Sequence, residues 1–127
     1  MSAVTLGSAS VDETRSPAGR LVVEVGRTAD RLRSMGVARL GAAFEPEPTR
    51  AAAARAVAQR LANAAADLLG DGHRAVPVVA VSAAGDQVAV CGRDLFDAAS
   101  VSTVPSGVVD ATLTDACEAL LDLRRRV

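Results

Sequence analysis

The sequence predicts an all-α fold, a four-helix up-and-down bundle. Three observations carry that expectation. Four stretches of roughly helical length repeat their apolar residues at intervals of three and four. Capping residues and prolines bracket most of them. Apolar residues, mostly Ala, Val and Leu, make up 50% of the 127 residues, enough for a core at this chain length. Residues 1–15 are small and polar with little periodicity and read as a flexible tail, with a short strand candidate at residues 4–6. Residues 16–127 are expected to form one helical domain.

The first helix follows Ser16, an N-cap residue, and Pro17, whose missing N–H costs nothing at the first helical position. Leu21, Val22, Val25, Ala29, Leu32 and Met35 form its apolar side, and Gly36 is the expected left-handed stop. Gly26 counts against the assignment, because glycine costs a helix interior about 1 kcal/mol relative to alanine. "AFEPEPTR" reads as a linker. The second helix is the clearest of the four, opened by Thr49 or a neighbour and closed by Gly70. Ala54, Val57, Ala58, Leu61, Ala65, Leu68 and Leu69 form its stripe.

The stretch "VPVVAVSAAGDQVAVCGRDLF" supports two structures. A hairpin over residues 76–92, turning at Gly85-Asp86, would make the fold α+β. A helix over residues 82–99 fits better. Its polar pairs Asp86-Gln87 and Arg93-Asp94 stand seven positions apart, or two helical turns. Ala84, Val88, Cys91, Leu95 and Ala99 line the opposite side, and residues 76–81 become an extended connector. The last helix starts near Ser106 and buries Val109, Leu113, Ala116, Cys117, Leu120 and Leu121. Its acids come early and Arg124, Arg125 and Arg126 come last, which suits the helix dipole. Short linkers favour antiparallel neighbours throughout.

Composition narrows function. The net charge is -1 and the aromatic share is 2%, which argues against nucleic acid as a partner. No apolar run approaches the roughly 18 residues of a membrane span, and the first residues lack a signal-peptide pattern, so the cytoplasm is expected. All fourteen basic residues are Arg, and Ile is absent, a usage that suggests high-GC, actinobacterial coding.

No cofactor fingerprint, metal-ligand spacing or nucleophile with a matching base stands in the chain, so no cofactor is expected and an enzyme is not the favoured reading. His73, the single histidine, reads as a solvated loop residue. Weak site candidates are Asp86, Arg93, Asp94, Cys91 and Cys117. The first four could supply polar groups to a pocket between helices. The two cysteines are equidistant from residue 104, so an antiparallel pairing of the last two helices would set them at one height. They then read as two buried thiols or, in the sharper alternative, as a redox pair. The favoured functional reading is a helical module that binds a protein partner or a second copy. A small-molecule binder or small enzyme is the alternative.

"GDQVAVCGRDLFDAA", followed by a helix ending "ALLDLRRRV", resembles the C-terminal half of small actinobacterial proteins of no known activity. The likeness spans about residues 76–126. It implies a packing pattern and transfers no site.

Overall fold

A computed structural model describes residues 16–127, and every described long element is helical. The tail and strand candidate expected at residues 1–15 lie outside the described residues. Among the described residues five α-helices run in the order α1 (Pro17–Arg33), α2 (Val37–Gly41), α3 (Arg50–Leu69), α4 (Ala84–Val101) and α5 (Ser106–Arg126), with one 3₁₀ turn, Val81–Ala83, leading into α4. Among the described residues the only β pairing is one isolated bridge, Ala43 with Thr49. The all-α class therefore holds and the hairpin alternative does not.

The helix ends follow their local chemistry. Ser16 Oγ accepts the Gly19 N–H at 3.0 Å and Thr49 Oγ1 accepts that of Ala52 at 3.0 Å, each filling one orphan donor of a first turn. Gly70 closes α3 with φ 73°, a conformation that favours glycine. Two expected caps act differently. Gly36 has φ −68° and opens the short α2, so α1 already ends at Arg33, with Ser34 as its cap. Ser106 is the first residue of α5, and Pro105 takes the cap position without a side-chain bond.

The core is almost purely aliphatic. Leu21, Leu32, Leu61, Val88, Leu95, Leu120 and Leu123 have no exposed surface, and each such burial contributes about 1.5–3 kcal/mol. Thr28 is the one buried polar residue among those described. Its Oγ1 donates to the Leu120 carbonyl at 3.5 Å and accepts from Arg124 Nη1 at 3.4 Å. Arg124 also reaches Glu24 at 2.7 Å, tying α1 to α5.

Helix packing departs from the expected arrangement. α1 and α3 each pack against both α4 and α5, while α4 and α5 occupy opposite corners. Gly85 lies against Ala29 and Arg33, and Gly92 against Val25, so α1 and α4 are antiparallel. Thr28 meets Leu120 and Arg31 meets Val127, so α1 and α5 run the same way. Ala52 and Arg55 face Ala84 and Gln87, and Leu68 meets Ser102, so α3 and α4 are parallel neighbours. The order is up, down, down, up. Parallel neighbours need a connection that travels back along the helix, and residues 71–80 supply it.

This crossover is the Val-rich segment that resembles a strand. Residues 76–80 form no helix, as expected of the connector, while Val81, expected within it, opens the 3₁₀ turn; Pro77 removes a ladder donor from the segment. Side chains replace the missing ladder. Gln59 Oε1 accepts the Val76 N–H at 2.8 Å, and Gln59 Nε2 donates to the Arg74 carbonyl at 2.9 Å. Arg55 donates to the Val76 carbonyl at 2.8 Å, and Gln87 of α4 donates to that of Pro77 at 2.7 Å. The segment is thus held between α3 and α4.

Small residues set how closely the helices approach. A Cβ on Gly85 would lie 2.8 Å from the Ala29 carbonyl oxygen, and one on Gly92 would lie 2.5 Å from a Val25 methyl. Gly26 differs: it sits on the exposed side of α1, and an added Cβ meets nothing within 4 Å. Gly26→Ala is therefore expected to stabilise the protein by up to about 1 kcal/mol, seen as a higher urea midpoint with an unchanged slope.

Candidate interaction groove

α4 shows two faces. Ala84, Val88, Cys91, Leu95 and Ala98 turn into the core. Asp86, Val90, Asp94, Asp97 and Val101, spaced by three or four residues, form a fully solvent-facing stripe. A groove runs beside this stripe. Its first part, about 500 Å³, lies between α4 and the crossover. Val76, Pro77, Val79 and Val90 give it apolar walls, Cys91 lines it, and Asp86, Gln87 and Asp94 stand at its mouth. The second part, about 730 Å³, lies between the C-terminal halves of α3 and α4 on a floor of Ala62, Ala65, Ala66 and Ala98. Ala62, Arg74 and Asp94 line both parts.

Large apolar side chains gather here without cover. Val101 is 68% exposed, Val90 60% and Leu69 48%. Leu69, expected on the buried stripe of its helix, instead lines the outer groove.

The five candidate residues part company. Asp86, Cys91 and Asp94 meet in the groove beside the crossover. Asp86 is held by Arg33, whose Nε and Nη2 both lie 2.8 Å from Oδ1. Arg93 lies on the flank of α4, where it lines a small hollow with Val25 and Phe96 and reaches back to pair with Asp97 at 3.1 Å. Cys117 lies on α5, buried on the side of Arg20 and Glu24. The adjacent helix pair that was to align the two cysteines is absent, since α4 and α5 sit at opposite corners.

Burial pushes both thiols above their ordinary range. Asp94 adds to the effect at Cys91, and Arg20 partly opposes it at Cys117. Both cysteines are free and buried. Near pH 8 neither is expected to react with Ellman's reagent within minutes in the folded protein, whereas both react at once in concentrated guanidinium. Fast reaction of either in the native state would contradict this placement.

His73 is an exposed loop residue, as expected, and it has a partner. Its Nε2 lies 2.6 Å from Asp67 Oδ1, and both side chains are exposed. A second cluster closes the other end of the bundle, where Phe44 lies between Arg50, at 4.8 Å, and Arg126, at 5.6 Å. Arg126 also bonds both carboxylate oxygens of Glu47 at 3.3 Å and holds that carboxyl below its ordinary range. Among the described residues no three His, Cys, Asp or Glu side chains converge to hold a metal, and no helix is long and apolar enough to cross a membrane.

The groove's apolar residues were open to sequence reasoning. Val90 and Val101 fall off the buried stripe of α4, and a large apolar residue off stripe signals a contact surface. Arg74 carries no such mark, because only the return path of the crossover brings it to α4. No family model matches the chain, and no similar protein was found among curated proteins or solved structures.

Proposed function

We propose that this chain is a helical protein-interaction module whose contact face is the α4 groove. The observation that carries the reading is the gathering of Leu69, Val90 and Val101, each about half exposed or more, along one groove. Contiguous apolar surface of this kind marks an interaction site more often than scattered single residues do. The alanine floor adds to it, because small side chains let a second backbone approach closely.

Site-specific photo-crosslinking in cells tests the reading. A photoreactive residue at Val90 or Val101 is expected to trap a discrete adduct. The same residue at Arg60 or Glu118, on other faces, is expected to trap none. Val90→Asp, which changes only an exposed side chain, abolishes the adduct formed from position 101 while stability stays within about 0.5 kcal/mol. Equal adducts from all four positions, or none from positions 90 and 101, would refute it.

A second reading rests on the three candidate residues that share the hollow beside the crossover. A small apolar molecule with a cationic end would fit Val76, Val79 and Val90 and meet Asp86 and Asp94. It predicts a rise in melting temperature with such a compound that Asp94→Asn removes, and no shift across a screen of such compounds would eliminate it.

A further inference from the structure

The groove's charge pattern specifies what it docks. Resting on the interaction reading above, we infer that its occupant is a cationic amphipathic helix of another protein rather than a second copy of this chain. The solvent-facing stripe of α4 sets three carboxylates among two valines: Asp86, Val90, Asp94, Asp97, Val101. Asp71 adds a fourth carboxylate to the groove, and Arg74 is the single base that lines it.

A two-fold contact through this stripe would set three carboxylates against three more in one desolvated seam, a like-charge arrangement that opposes association. Basic side chains flanking an apolar stripe invert the sign of that interaction.

The guanidiniums of Arg33 and Arg93 already pair with Asp86 and Asp97, but from the flanks. Every side chain in those two pairs is close to half exposed or more. Solvated pairs of that kind are worth at most about 1 kcal/mol and yield readily to a second cation. Among the described residues Asp94 makes no ion pair, unlike its neighbours Asp86 and Asp97.

Shape and length indicate a helical occupant. Asp86 and Val101 are fifteen residues apart, which places them about 22 Å apart along α4, or four turns of a facing helix. Leucines at three- and four-residue spacing on that helix would reach Val90 and Val101, and its backbone could settle on the alanine floor.

Fluorescence anisotropy with three labelled sixteen-residue peptides tests this. All carry the same leucine stripe, and the flanking positions are all Arg, all Gln or all Glu. The Arg peptide is expected to bind the full chain, to weaken about tenfold in Asp94→Asn/Asp97→Asn, and to weaken further between about 50 and 200 mM salt. The double variant Asp110→Asn/Asp115→Asn, on α5, should leave its affinity unchanged. The Glu peptide should bind at least about tenfold more weakly.

Equal binding of the Arg and Glu peptides, or equal loss in the α5 variant, overturns the charge assignment while leaving the groove as a contact face. Sedimentation of the purified protein as a dimer that Val90→Asp dissociates overturns it in favour of a second copy. Failure of every peptide, with no crosslinked adduct at position 90 or 101, defeats both the inference and the reading beneath it.

Discussion

Gly92→Ala is expected to destabilise the protein by about 2 kcal/mol, although alanine is the better helix former. The new Cβ would lie 2.5 and 2.7 Å from the two Val25 methyls and 3.1 Å from Val25 Cβ. A β-branched side chain in a helix has essentially one rotamer, so Val25 cannot swing clear and α1 must move off α4. Gly85→Ala meets a harder obstacle, the Ala29 carbonyl oxygen at 2.8 Å, with Arg33 Cγ at 2.9 Å. Its cost should equal or exceed that of Gly92→Ala.

Val25→Ala empties the space that a Cβ at position 92 would need. The double variant Val25→Ala/Gly92→Ala should therefore recover stability relative to the sum of the singles, by about 1–2 kcal/mol in urea denaturation. Strict additivity would mean that α1 and α4 do not touch at this point. Gly26→Ala, with its opposite sign, shows that the effect belongs to the interface and not to glycine.

Gln59→Ala should cost about 1–2 kcal/mol through a different mechanism. It strips the Val76 N–H and the Arg74 carbonyl of their partners at once; the part-buried N–H left unpaired costs about 1 kcal/mol or more, and the exposed carbonyl, which water can reach, adds less. Gln59→Glu separates the two roles. A carboxylate still accepts from Val76 N–H but cannot donate to Arg74, so an intermediate loss is expected. Amide exchange at Val76 should accelerate in both variants, and more in the alanine one. Gln87→Ala removes a bond to the Pro77 carbonyl in an exposed setting and should cost less. If Gln59→Ala left stability and Val76 exchange unchanged, the crossover would not be held as described.

Legibility in the sequence followed the range of the interactions involved. Caps and periodicity are local, so α3 could be read from Thr49 to Gly70 and the buried stripe of α4 was correct at Ala84, Val88, Cys91 and Leu95. The choice of helix over hairpin rested on the seven-residue recurrence of polar pairs in α4, and the same recurrence places Gly85 and Gly92 on one face against α1.

Chain direction was not legible. The idea of antiparallel neighbours presumed short linkers, yet the ten residues between Gly70 and Val81 are long enough to run back beside α3. Their anchors, Gln59, Arg55 and Gln87, are surface polar residues whose bonds to a distant backbone leave no periodic trace. The groove inherits that obscurity. Val90 and Val101 stood out of pattern, but Arg74 joins them only through the crossover.

The account depends most on α3 and α4 lying side by side in the same direction. Two pairs of spin labels test this with Cys91 and Cys117 replaced by Ala: one pair at Asp67 and Ser100, the other at Asp67 and Ser82, all exposed positions. Parallel packing predicts a short separation for the first pair and one longer by at least about 10 Å for the second, since Ser82 and Ser100 stand at opposite ends of a helix about 27 Å long. The reverse order of distances would mean that α3 and α4 run antiparallel, and neither the crossover nor the groove beside it would exist.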